Sequence, residues 1–235
     1  MSFLEHLGEL RVRIFRALLS IMLFFLVGWY YSRPILGFFL KPVLPFLQGR
    51  KPVFLEITEP FILYMKVALV AGLFAASPMV LYQVWAFIAP GLYPSERRYA
   101  APFIIFSSLF FIAGGLFGYY VAFPYAARFL LSVAGDFEPA LTIRSLFQFE
   151  SRLILWMGLI FEMPVVIFLL AKVGVVTPTF LLRNFKYAVL AIFVIAAIVT
   201  PTPDVVTQCV FALPMVGLYL LGLATSYLVR PRSGP

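Results

Sequence analysis

The chain has 235 residues, of which 63% are hydrophobic and only 12% charged, with a mean hydropathy of +1.01. A soluble domain is nearer about half apolar and about a quarter charged, so a water-soluble fold is excluded and the chain reads as a polytopic membrane protein. The net charge of +8 falls between the apolar runs, where it orients the chain and meets lipid headgroups; no nucleic-acid-reading motif accompanies it, and no nucleic-acid partner is expected.

The N-terminus MSFLEHLGELRVR carries Glu5 and Glu9 and lacks a small-residue cleavage site after a short apolar core, so it does not read as a cleaved signal peptide. Residues 3–16 predict an amphipathic helix with Leu4, Leu7, Leu10 and Ile14 on one face and Glu5 and Glu9 on another. Arg11, Arg13 and Arg16 precede the first predicted span, 17–31, and place the N-terminus in the cytoplasm. From Ser32 to Pro60 the chain is expected outside. There Ile35–Leu40 and Val43–Leu47 are too apolar for free loops and too short to span, so they are read as interfacial or capping helices. The second span, 61–89, contains Pro78, where a kink is expected, and Lys66 about one turn from its outer end. Lys66 either snorkels outward or marks a site.

The stretch QVWAFIAPGLYPSERR (Gln83–Arg98) joins two spans. Trp85 and Phe87 close the helix, Pro90 and Gly91 break it, and Arg97 and Arg98 fit the positive-inside rule. That rule does not call for Glu96. The third span, 101–123, carries Gly114 and Gly118 at GxxxG spacing, a weak signal for close helix packing. An outer loop is expected over 124–148, with Phe129–Val133 packed on the bundle. The fourth span, 149–173, holds Glu162 in FEMP, with Pro164 two residues on. Lys172, Arg183 and Lys186 mark a cytoplasmic loop. The fifth span, 187–200, covers roughly 21 Å of a ~30 Å core. PTPD (Pro201–Asp204) turns the chain into a sixth span, 205–228, broken by Pro214.

The assigned cytoplasmic segments, ending with Arg230 and Arg232, carry more basic residues than the outer ones. The outer acids are taken as Glu56, Glu59, Asp136, Glu138, Glu150 and Asp204. The fold expected is all-α, a single membrane domain over 1–235 with six transmembrane helices and both termini inside.

Conventional catalytic groups are scarce. His6 and Cys209 are the only residues of their kinds, too few for a zinc site or a Cys–His nucleophile, and no P-loop or dinucleotide fingerprint is present. No catalytic residue, metal or cofactor is therefore expected, and any energy must come from a gradient or a partner. Glu9 and Glu96 are acids on an otherwise basic cytoplasmic face, and a guanidinium is their best geometric match. Local pairing, Glu9 with Arg13 four residues on and Glu96 with a neighbouring arginine, explains them as well. Glu162 is either a functional intramembrane group or a hydrogen-bonded one joining helices. Gln208, beside Thr207, suits interhelical hydrogen bonding.

HLGELRVR (His6–Arg13), SPMVLYQVWAFIAPGLYPSERR (Ser77–Arg98), FEMP (Phe161–Pro164) and TPTPDVVTQ (Thr200–Gln208) resemble, in order and over essentially the whole chain, the TatC family of the twin-arginine protein translocase. The resemblance implies a six-span inner-membrane protein with a concave bundle, capping segments outside and both termini cytoplasmic. It implies recognition of twin-arginine signal peptides on folded cargo, and an oligomeric complex with single-span partner subunits of the TatA/TatB type. Carried over by position, Glu9 and Glu96 match the acids associated with the paired arginines, and Arg11 and Phe87 fall in the same recognition surface. Glu162 matches an intramembrane glutamate on the concave side, and Gln208 a position linked to partner-helix docking. The family often reads TPPD where this chain has TPTPD, which leaves Thr200 and Thr202 as alternatives for one polar position. A secondary transporter for a small cationic solute, coupled through Glu162 and Lys66, is the main rival, although no matched pair of broken helices appears. A scaffold that only gathers membrane helices is the second.

Overall fold

Long apolar runs in lipid have no water for their backbone groups and must close their hydrogen bonds internally. The computed structural model describes residues 3–47, 52–88, 100–133, 141–200 and 204–228. Regular structure among these is helical, apart from an isolated parallel bridge between Val53 and Thr142. Four described segments are long and apolar enough to cross a membrane: Glu59–Ile88, Ala101–Val133, Ile143–Val173 and Val205–Ser226. Phe185–Val199 is apolar but shorter. The chain is an all-α membrane protein.

Two compact units divide it, Met1–Ile112 with Ala140–Ser151, and Ala113–Pro139 with Arg152–Pro235. In the first unit, α1 (Phe3–Tyr30) joins the amphipathic start to the expected first span without a break. It runs antiparallel to α3 (Glu59–Ile88), and small residues bring the two backbones together. A methyl group at Gly28 would stand 2.9 Å from the Ala68 carbonyl oxygen, and one at Gly72 would stand 2.8 Å from the Phe25 nitrogen. Ala68, Gly72 and Ala76 recur every fourth residue on α3, the small-residue stripe that lets membrane helices approach. The GxxxG rule, applied to sequence, singles out only Gly114 and Gly118. Helix α3 continues through Pro78. The other side of α1 exposes Phe15, Leu18, Leu19, Met22, Leu23 and Leu26, which water would not tolerate and lipid does.

The two short apolar pieces behave as caps. α2 (Ser32–Leu40) buries Leu36 and Phe39, and the 3₁₀ turn Leu44–Phe46 lies between buried Val43 and Leu47. Phe39 meets Phe147 edge-on at 5.4 Å. The Val53 nitrogen donates to the Leu141 carbonyl (3.4 Å) and the Ile143 nitrogen to the Val53 carbonyl (3.0 Å), which ties the strap ahead of α3 to the start of α6 (Ile143–Phe161). At this end Arg144 lies 3.8 Å from Glu56 and from Glu59, and Glu59 also accepts from the Leu55 nitrogen at 3.1 Å.

In the second unit the GxxxG pair does what its spacing suggests. α4 (Ala100–Phe117) brings Gly114 so close to α6 that a methyl group would collide with the Met157 carbonyl oxygen. One at Gly118 would stand 2.8 Å from the Ile154 Cα. The helix does not end near Phe123 as expected. A π turn, Gly118–Ala122, leads into α5 (Phe123–Val133). The wider turn just ahead of Pro124 relieves the clash between its ring and the carbonyl four residues back, so the helix survives the proline.

The FEMP stretch divides the fourth span into α6 and α7 (Met163–Val173). Pro164 has no N–H to offer the Ile160 carbonyl, and the ladder tightens there: the Glu162 nitrogen donates to the Leu159 carbonyl at 3.2 Å. Gly174 ends α7 with φ 82°, a left-handed cap. Thr177 then caps α8 (Pro178–Arg183) by accepting from the Phe180 nitrogen at 3.1 Å. α9 (Phe185–Val199) is the short apolar helix, about 22 Å long. Asp204 caps α10 (Val205–Ser226) by accepting from the Thr207 nitrogen at 2.7 Å. Pro214 lies inside α10, which stays helical on both sides of it. Gly222 of α10 packs on Ile167 of α7.

Candidate functional site

Antiparallel packing carries the start of α1 to the end of α3. His6 stacks on Phe87 with ring centroids 4.4 Å apart and planes 20° apart. Arg13, two turns along the same face, donates through Nη1 to Gln83 Oε1 at 3.4 Å and through Nη2 to Glu9 Oε1 at 3.1 Å. The i,i+4 pair that the spacing predicts is therefore present, and α3 supplies its guanidinium with a second acceptor. Side-chain exposure is 22% for Arg13 and 18% for Glu9. The other Glu9 oxygen, Oε2, is buried and has no hydrogen-bond partner among the described residues. Arg11 points to the exposed side of α1 and makes no hydrogen bond or ion pair among the described residues. Of the residues expected here, Glu9 and Phe87 come to one end of the α1–α3 pair, Glu9 through Arg13 and Phe87 through His6, while Arg11 lies on the exposed side. Glu96 lies outside the described residues, in the connection that leaves α3 at Ile88.

Sequence reasoning missed two members of this end, His6 as a stacking partner and Gln83 as the second anchor of Arg13. Both lie within the family motifs His6–Arg13 and Ser77–Arg98. Which of their neighbours they meet is set by helix pairing between positions 70 or more residues apart.

In the second unit, Glu162 is buried at the α6–α7 break. Gln208 donates through Nε2 to the Phe193 carbonyl at 2.8 Å, joining α10 to α9 by the interhelical hydrogen bond its position suggests. Thr200 is buried at the end of α9, where its hydroxyl donates to the Ala197 carbonyl at 3.4 Å. Thr202 lies outside the described residues. Tyr219 donates its hydroxyl to the Leu181 carbonyl at 2.8 Å, fixing α10 to α8.

Two charged groups sit elsewhere in the first unit. Lys66 is half-buried beside Glu59, Arg144 and Gln148, in a cleft of about 10 Å³, room for roughly one water. Glu150, grouped by sequence with the outer charges, is fully buried on α6, and neither of its carboxyl oxygens has a hydrogen-bond partner among the described residues. The only hint was its place, one residue inside the predicted fourth span.

Among the described residues no group of His, Cys, Asp and Glu could hold a metal ion. What the fold and these residues define is a multi-pass helical membrane protein whose polar chemistry rests on a few placed carboxylates and amides. A family model for the Sec-independent protein translocase protein TatC matches residues 5–214. The Sec-independent protein translocase protein TatC of Koribacter versatilis is 47% identical, over 99% of this chain and 88% of its own length. TatCy of Bacillus subtilis is 36% identical, over 96% of this chain and 89% of its own. A crystal structure of the twin-arginine translocase receptor TatC aligns with a TM-score of 0.81 at 34% identity, covering 95% of this chain and 98% of that one. The chain belongs to the TatC family of Sec-independent protein translocase proteins.

Proposed function

We propose that this protein is the signal-peptide receptor and core subunit of a twin-arginine translocase, binding the consecutive arginines of export signals at the cytoplasmic face. The observation that carries the site is the Glu9–Arg13 contact: this carboxylate already accepts from a guanidinium at 3.1 Å, so its surroundings suit that group. Glu96 supplies the second acid, and Phe87 and Arg11 belong to the same recognition surface. Each carboxylate takes one arginine fork, and the interface, with its lower effective dielectric, screens the attraction less than bulk water does. Lysine keeps the charge and loses the fork, so a Lys-Lys signal binds more weakly.

Six spans with both termini inside put this end in the cytoplasm of a bacterial inner-membrane protein. Glu162 faces the apolar part of the signal, and Gln208, with the outer ends of α9 and α10, receives the helix of a single-span partner subunit. The family assignment leaves a small-solute transporter without support.

Photo-crosslinking of a twin-arginine signal peptide in membranes tests the site. Crosslinking that falls in Glu9→Ala, in Glu96→Ala, and with a Lys-Lys peptide is expected. Crosslinking indifferent to both substitutions would move the site elsewhere.

A further inference from the structure

Glu9 is not open to a ligand in this structure. One oxygen is held by Arg13 and the other is buried with no hydrogen-bond partner among the described residues. Arg13 is held from the far side by Gln83 of α3. The same guanidinium therefore spans α1 and α3 and occupies the carboxylate that a signal arginine would need.

Resting on the proposed receptor function, we propose that Arg13 is a resident competitor for Glu9, an internal guanidinium that closes the site until an incoming arginine displaces it. Two features make the exchange feasible. An i,i+4 pair on one helix favours its closed form by only about twofold, so the latch is weak enough to open. Arg13 also engages Glu9 through a single N–H while its other Nη serves Gln83. An incoming arginine presents both arms of its fork once the Glu9 carboxylate turns its buried Oε2 outward, and two charge-assisted bonds outweigh one. Once released, Arg13 keeps Gln83 as an acceptor, so displacement does not strand a buried cation. The latch lowers affinity for every arginine-bearing ligand and keeps Glu9 covered between cargoes. Its contribution to receptor function is reversibility rather than selectivity, since a competitor scales all ligands of one site alike.

The test is equilibrium binding of a fluorescent twin-arginine signal peptide to the full chain in nanodiscs. Arg13→Gln is expected to tighten binding by about threefold, because a latch closed about two to one leaves about a third of the sites open. Arg16→Gln removes the same charge from an exposed position on α1 and measures the general electrostatic effect, so the Arg13→Gln gain must exceed it. In a Glu9→Gln background the excess is expected to vanish. Gln83→Leu, which removes the second anchor without changing charge, is expected to give a smaller gain and serves if Arg13→Gln fails to insert. Weaker binding in Arg13→Gln, a gain no larger than that of Arg16→Gln, or a gain that survives Glu9→Gln would each overturn the latch. If wild-type binding is itself indifferent to Glu9→Gln, the receptor role of Glu9 falls and the latch falls with it. Binding that needs Glu9 but ignores Arg13 removes the latch alone.

Discussion

Gly114→Ala offers a direct check on the helix packing of the second unit. The added methyl group would strike the Met157 carbonyl oxygen and come within 2.8 Å of the Phe161 Cβ. One contact is backbone, so no rotamer change removes it and α4 must move from α6 by the better part of an ångström. Overpacking of this kind costs about 1–3 kcal/mol. Against it, alanine is the better helix former by about 1 kcal/mol. The net expectation is a loss of about 0–2 kcal/mol. Gly217 of α10 has nothing within 4 Å of its would-be methyl group, so Gly217→Ala isolates the propensity term and is expected to be neutral or stabilising. Thermal unfolding of both variants in detergent, followed by intrinsic fluorescence, separates the two terms. A Gly114→Ala protein as stable as Gly217→Ala would refute the close approach of α4 and α6.

Glu150→Leu should be tolerated and should raise the unfolding temperature, because a buried carboxyl with no hydrogen-bond partner among the described residues costs about 1–3 kcal/mol that an apolar side chain of similar size avoids. Loss of folded protein on that substitution would show that the carboxyl holds an essential contact. At the end of α7, Gly174→Ala forces a Cβ into φ 82° and should cost about 1–2 kcal/mol in the same unfolding assay, with no loss indicating that the cap relaxes.

Several elements were legible because their causes are local. Apolar run length and proline placement predicted long apolar helices over Glu59–Ile88 and Val205–Ser226, the short helical pieces after α1 and the shortness of α9. The GxxxG spacing predicted a close helix face, and the i,i+4 spacing of Glu9 and Arg13 predicted their pair. The fourth span showed its weak point through Pro164, whose missing N–H is a property of the residue. Past Pro124 the local rule failed, because a π turn accommodates a proline that otherwise ends a helix.

Hydropathy and charge thus determined that this chain is a helical membrane protein, since lipid leaves an apolar backbone no other solution. Position within the family motifs put forward Glu9, Arg11, Phe87, Glu96, Glu162 and Gln208 as candidates. Tertiary structure alone decided which helices meet: that α1 lies backbone to backbone with α3, that Gln83 reaches Arg13, and that Glu150 is buried with no hydrogen-bond partner among the described residues. Such contacts join residues far apart in the chain. They depend on the rotation and depth at which two helices lock, which small residues permit and no single segment encodes.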